Sequence, residues 1–547
     1  MFRIISPVQT IDEINFIKQN IPSADILPLD LATLLFCRIH KLSYVNPLDY
    51  SDNELHIEII HETDSVLKKI NFDQSTAFEK EFIAVCRFFL HQVFFVKIIL
   101  QRILEQNPKI KIHVSGFENK RNVLYSDHNY QISKIVRRLF PDRSSQVKKF
   151  DLKSNISKQS IAFSFNKNID CDLILHSLGY NFNRVSSAAK DIGLKVVSLH
   201  FGSVSWKQKA GYLWRGVQPI EIVPSKVTSE NPDLFSWQND LNDIVGDLLC
   251  ERIEEAIPFL NTEFRKCLIT KEILQEIKPR LTSSFATRGV LGAILDVENF
   301  NTTSVCIPHG TVTASLVDQD KSYRSTIAEA VFTGNKSWVA LQSKIAQEAY
   351  QDLRPAGKAF VGGNLIFNEA NHLPKKNIIL YAVTQKNFYG MQFYGVETYY
   401  EFFNNMKHLE YVQSNIDYSI VVKLHPAARH LKSLLEDEFP DLHFVTDNLK
   451  NLLSKSLVTI SFSSSIIEDS LYSQVPVILF DPWNRYQHCW AESDTSKKNK
   501  AIYYVTAIKD LISAVNVVKE SSCIDFEEYT VPGSSEDNLK TLLKTLL

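Results

Sequence analysis

One stretch, from Leu457 to Tyr486, constrains the fold more than any other. An apolar, β-branched run from Leu457 to Ser461 gives way to Ser463, Ser464 and Ser465. Apolar residues at helical spacing follow, and after Pro476 a second apolar run ends at Phe480. Strand, small polar turn, helix and strand in so short a span form a βαβ unit, which requires a parallel sheet covered by helices. Ser465-x-x-Glu468 has the form of a capping box, in which serine and glutamate satisfy the first free N–H groups of the helix. Hydroxyls and N–H groups at the positive end of a helix dipole also suit a phosphate. A cap alone does not decide between these roles.

The chain has 547 residues, more than one core usually supports, so two or three domains are expected. With 44% hydrophobic and 22% charged residues it has the composition of an ordinary globular protein, and a formal net charge of −2 gives no reason to expect nucleic acid as a partner. Eight scattered cysteines without a C-x-x-C pair fit a reduced, cytoplasmic chain. The first residues read as a strand rather than a secretory leader. The most apolar segment, Phe82 to Leu100, carries Arg87, His91, Gln92 and Lys97, which would be costly in lipid. A buried helix is expected there.

Elsewhere strands and helices alternate, the α/β signature. Helix patterns cover Ile11 to Gln19, Leu31 to His40 and about Ser75 to Gln106, with a strand from Lys109 to Gly116. Strands are expected at Cys171 to Ser177 and Leu194 to His200, with a loop-rich segment from Phe201 to Trp237. Two helices (Leu241 to Glu255, Thr262 to Ile277) precede the strand Thr303 to Ile307, which runs into Pro308-His309-Gly310-Thr311. A strand (Ala330 to Gly334) and a helix (Ser337 to Gln351) complete the first half. The linker-like stretch is 365–376. Beyond it the alternation restarts: Asn377 to Val383, helix Tyr399 to Gln413, and strand Tyr418 to Leu424 ending in His425-Pro426. The serine unit and a closing helix follow. The expected domains are 1–364, with a subdomain within 1–165, then 377–530, and a terminal helix within 531–547.

His309-Gly310 at a strand end in the first half, His425-Pro426 at one in the second, and Ser463-Ser464 opening a later helix together resemble a set of bacterial surface-polysaccharide transferases. These are the capsule sialyl- and Kdo-transferases with HP and SS motifs and the CDP-glycerol glycerophosphotransferases with HG, HP and SS motifs. The resemblance covers about Lys278 to Trp490 and implies the GT-B architecture, two Rossmann-like domains facing a cleft. UDP-sugar 2-epimerases share that architecture, but their Ser-Gly-Gly-x-x-Glu-Glu signature is replaced here by Ser463-Ser-Ser-Ile-Ile-Glu-Asp. That departure favours a transferase.

The resemblance implies a nucleotide-activated donor, CMP- or CDP-linked, with a UDP-sugar transferase, an epimerase-like enzyme and a non-catalytic nucleotide-sugar binder as alternatives. The acceptor would be a surface glycan or lipid-linked glycan, and the chain cytoplasmic or peripheral at the inner membrane face. His425, Pro426, Ser463, Ser464 and Ser465 would hold donor phosphate. Lys423 shares a strand face with His425 and adds charge. Glu468 and Asp469 are candidates for ribose or for the cap, Thr384 and Gln385 fit a nucleotide-contacting loop, and Arg429 is a further cation. His309 is the expected general base, a role suited to neutral imidazole. Asp296 and Glu298 are its rivals, and Gly310 and Thr311 shape the acceptor-side loop. No metal-ligand pattern, Walker loop or G-x-G-x-x-G is present, so neither metal nor cofactor is expected.

Overall fold

The computed structural model describes residues 3–70, 76–116, 132–146, 162–164, 169–176, 182–225, 240–297, 301–312, 316, 318, 321, 324–325, 328–329, 337–353, 357–367, 369, 378–383 and 398–547. Three sheets organise them. The first comprises β1 (Ile4–Val8), β2 (Asp25–Pro28), β3 (Lys111–Val114) and β4 (Ser144–Gln146), parallel in the order β2-β1-β3-β4. The N-terminal region therefore has a sheet of its own.

The second sheet comprises β5 (Ala162–Ser164), β6 (Leu173–His176), β7 (Val196–Phe201), β8 (Val217–Ser225), β9 (Leu281–Ser284), β10 (Thr303–Cys306), β11 (Trp338–Leu341) and β12 (Ala359–Val361). Their order is β12-β11-β10-β9-β6-β7-β8-β5, parallel except for β5 at the edge. The third comprises β13 (Ile378–Ala382), β14 (Ser419–Lys423), β15 (His443–Val445), β16 (Ser456–Ser461), β17 (Val477–Phe480) and β18 (Ile502–Val505), in the order β15-β14-β13-β16-β17-β18. Strands such as β6, β9 and β17 are buried along their whole length, as parallel strands covered on both faces are.

In both larger sheets the chain winds outward from a central strand, returns beside it and winds out the other way. The order reverses between β6 and β9 and between β13 and β16, and such switch points open ligand crevices at the strand carboxyl ends. Two Rossmann-like units of this kind make the GT-B architecture.

The N-terminal region packs across both units. Its helix Ala77–Gln106 is long and apolar enough to span a membrane, with a mean hydropathy of 1.9 in its best window, but 89% of that window is buried. Burial is supported by pairing of its polar groups: Arg87 Nη2 lies 2.7 Å from Asp64, and Arg288 lies 3.4 Å from Glu81. Phe95 packs on Tyr399 and Tyr400, and Arg38 pairs with Glu438 at 2.5 Å.

The two Rossmann-like units are stitched together along Gln342–Ile345. The Tyr472 hydroxyl donates to Gln342 O, Lys344 N donates to Tyr529 O at 2.9 Å, and Ile345 joins the cluster of Ile467, Leu471 and Leu479. The final helix, Ser535–Leu546, crosses back to the second sheet. Leu539, Leu542 and Leu543 pack there with Val185 and Ala189, and Lys540 reaches Asp191 at 3.0 Å.

Four expectations change. The segment read as loop-rich contains the helix Trp206–Trp214 and β8, whose Pro219 and Pro224 argue against a strand by sequence. The two helices expected at Leu241 to Glu255 and Thr262 to Ile277 form one, Ile244–Ile277. The helix expected from Ser337 starts at Lys344, because Trp338–Leu341 is the buried strand β11 and Ser343 Oγ accepts from Ala346 N at 2.9 Å. In the expected linker, Leu365, Ile366 and Phe367 are buried against the terminal helix, while 368 and 370–376 lie outside the described residues, as does the strand expected at 330–334.

Candidate active site

The serine turn lies at the switch point of the third sheet. Ser461 Oγ donates to Ala382 O at 3.3 Å, tying the ends of β13 and β16 together where the chain reverses its winding. Phe462 is buried against Tyr486, and Ser463 follows at 8% exposure. The expected capping box does not form. Ser465 has helical backbone angles (φ −59°, ψ −14°) and makes no side-chain cap bond; Ser464 Oγ instead accepts from Ile466 N at 3.3 Å. The helix is a short one, Ile466–Tyr472, and Glu468 turns inward rather than back to the cap.

Glu468 is fully buried, with its Oε2 3.7 Å from His488 Nε2. The other nitrogen of His488, Nδ1, lies 3.3 Å from Ser463 Oγ. A buried line therefore runs Ser463–His488–Glu468, with the imidazole between the serine hydroxyl and the carboxylate. His488 escaped the sequence reading. It lies 25 residues beyond Ser463, on the irregular segment after β17, and no local period marks it.

That segment is shaped by Asp481, which accepts from the backbone N–H groups of Trp483 (3.2 Å), Arg485 (2.6 Å) and Tyr486 (2.7 Å). Burial raises the Asp481 carboxyl above its ordinary range, while these donors and the Arg485 charge oppose the shift. Arg485 is itself buried. It donates from Nε (3.2 Å) and Nη2 (2.5 Å) to Glu401 Oε1, and its Nη1 lies 2.9 Å from His56 Nε2 of the N-terminal region. Arg324 of the first unit lies over the Tyr486 ring, 4.1 Å from its centroid. The sequence reading missed this cation too, because nothing in the sequence around it distinguishes it from a surface arginine.

From the second sheet, β10 delivers the His309-Gly310 turn. Pro308 O accepts from Gln342 Nε2 at 2.6 Å, and His309 is half-buried, edge-on to Phe285 at 5.8 Å. Gly310 brings the units into contact: a Cβ built on it would lie 3.2 Å from Ser465 Cβ. The HG turn and the serine turn, more than 150 residues apart in sequence, thus meet at the carboxyl ends of two sheets. Thr311 is half-buried beside them.

His425 and Lys423 are half-buried at the end of β14. Since β13 lies between β14 and β16, they stand about 10 Å from the serine turn, two strand spacings. His425 O accepts from Ala428 N at 2.9 Å as Pro426 starts a 3-10 turn. Burial, with Arg429 nearby, lowers the Lys423 pKa, and Asp469 and Asp447 offset part of the shift. Lys423, Arg429 and Asp469 are thus electrostatic neighbours. Asp296 lies at the start of the long N-terminal helix, its Oδ2 accepting from Ala77 N at 3.4 Å, which gives this carboxylate a helix-terminus role. Glu298, Thr384 and Gln385 lie outside the described residues. No cluster of metal-ligating side chains occurs among the described residues.

A cavity of about 320 Å³ opens beside His488, between Ile345, Glu348 and Asp352 of the first unit and Cys489 and Trp490 of the second. Its size is at the lower end of the range for ligand pockets.

No family model matches the chain, and no curated protein does. Among solved structures it is similar to the UDP-GlcNAc 2-epimerase of Methanocaldococcus jannaschii, at 12% identity over 68% of this chain and 98% of that one, with a TM-score of 0.38. It is also similar to the wall teichoic acid polymerase TagF (11% identity, 76% and 92% covered, TM-score 0.36) and to a glycosyltransferase of Rickettsia africae (13%, 68% and 93%, TM-score 0.35). At these scores and identities the site assignment rests on the chain's own geometry.

Proposed function

We propose that this chain is a GT-B transferase that moves a sugar or glycerophosphate unit from a CMP- or CDP-linked donor to a hydroxyl of a bacterial surface glycan. The observation that carries this reading is the meeting of Gly310 with Ser465 at the carboxyl ends of two doubly wound sheets. Donor phosphate would sit at the β13/β16 switch point, held by the Ser463 hydroxyl and by N–H groups of the Ser464–Ser465 turn. His425, Lys423 and Arg324 would supply positive charge. As the bond from donor to leaving phosphate breaks, these groups stabilise the charge on the departing nucleotide. His309 takes the proton of the attacking hydroxyl.

The test is a thermal-shift panel of CMP, CDP, UDP and GDP, since a ligand of the native state raises its melting temperature. A cytidine nucleotide should give the largest shift. His425→Ala should reduce that shift, while His309→Ala should keep it and lower turnover. If none of the four nucleotides stabilises the protein, or both variants bind and turn over like the wild type, the reading fails. A larger shift with UDP would transfer the proposal to a UDP-linked donor.

A further inference from the structure

The helix Trp206–Trp214 has no buried residue. Trp206 and Trp214 are each 81% exposed and Leu213 63%, and Ala210 is exposed as well. These positions stand at i, i+4, i+7 and i+8, so they share one face of the helix. The opposite face attaches the helix to the body: Lys209 pairs with Glu221 at 2.9 Å, and Tyr212 meets Phe182 and His200 edge-on at 5.7 and 4.7 Å. The helix is therefore amphipathic with its apolar face turned to solvent.

Exposed cations flank that face. Lys207 and Arg215 adjoin the two tryptophans, and Lys190 reaches Trp214 O at 3.1 Å. Two acids on neighbouring elements are engaged in other pairs: Glu221 accepts from Val204 N and pairs with Lys209, while Asp191 pairs with Lys540. A second copy related by a two-fold axis would bring these like charges together.

We propose that this helix docks the chain on an anionic phospholipid surface. Trp206, Leu213 and Trp214 enter the boundary between headgroups and acyl chains, and Lys207, Arg215 and Lys190 meet lipid phosphate. Tryptophan suits that boundary, having an apolar ring with one polar N–H, and cations on the flank of an amphipathic helix favour anionic lipid. The helix starts just after β7, at the same sheet edge as the His309 turn after β10, about 14 Å or three strand spacings away. Docking there would turn the carboxyl edge of the sheet toward the lipid. The proposal does not depend on the transfer reaction.

The experiment is flotation of the full chain with vesicles of phosphatidylcholine alone and of phosphatidylcholine with phosphatidylglycerol. Wild-type protein should bind the anionic vesicles, and brominated lipid should quench its tryptophan emission. Trp206→Gln/Trp214→Gln should lose both signals with unchanged circular dichroism. Lys207→Gln/Arg215→Gln should bind anionic vesicles about twenty-five-fold more weakly, two cations at about fivefold each. The proposal is overturned if wild-type protein does not float with anionic vesicles, or if the tryptophan pair can be replaced without effect. It is equally overturned if that replacement instead dissociates a dimer or a bound protein while flotation persists.

Discussion

Gly310→Ala tests the contact on which the site rests. Gly310 lies outside the left-handed region, so its backbone accepts alanine without strain, and any effect must come from the added methyl group. That methyl would sit 3.2 Å from Ser465 Cβ, whereas carbon atoms attract best at roughly 3.5–4.0 Å. The two turns must therefore separate by about 0.5 Å. A misplacement of about 1 Å in a positioned site can cost about a hundredfold in rate, so half of that predicts about a tenfold loss of turnover. Nucleotide binding should change little, because Ser463, Ser464 and Ser465 belong to one turn and shift together away from Gly310. Steady-state kinetics of Gly310→Ala in the native and Ser465→Gly backgrounds form the required cycle. With the opposing Cβ removed, the same methyl should cost less than about twofold. A tenfold loss that persists in the Ser465→Gly background, or no loss in the native one, would refute the reasoning.

Arg485→Met should destabilise the protein by about 3–5 kcal/mol, because it leaves Glu401 buried without its counter-charge. Arg485→Met/Glu401→Leu should recover most of that in the same denaturant titration, and a single-variant loss under about 1 kcal/mol would count against a buried pair. Burial raises Asp30 from 3.8 to about 6, so the folded state binds its proton more tightly than the unfolded chain does. The resulting stabilisation is fully present below about pH 3.8 and is lost as pH rises through about 6, a change of about 3 kcal/mol. Asp30→Asn keeps the acceptor for Thr33 N and should flatten the unfolding midpoint between those limits; an unchanged pH profile would contradict it.

Sequence reading succeeded where periodicity and tertiary demand agree. The helix Tyr399–Gln413 was located to the residue, and the serine βαβ unit to within a few, because buried parallel strands and amphipathic helices mark themselves through spacing alone. It failed where packing overrides local rules. Trp338–Leu341 is too short an apolar run to separate strand from helix by period, and the helix Trp206–Trp214 carries its apolar stripe outward, with no core to announce it. The Ser-x-x-Glu pattern misled for a different reason. Glu468 is fully buried, 3.7 Å from His488, instead of reaching back to the helix start. Of the site, the turns at His309 and Ser463 were legible because each follows a strand. Arg324 and His488 were not, because only the folded arrangement brings them to Tyr486 and Ser463.

The crossing of the final helix has a temporal consequence. Leu539, Leu542 and Leu543 complete a core whose other members, Val185, Ala189 and Leu281, are synthesised hundreds of residues earlier. The second-sheet unit therefore waits with an open apolar flank until residues 535–546 have left the ribosome. The flank around Val185 is thus the place where a nascent chain is most exposed to chaperones and to aggregation.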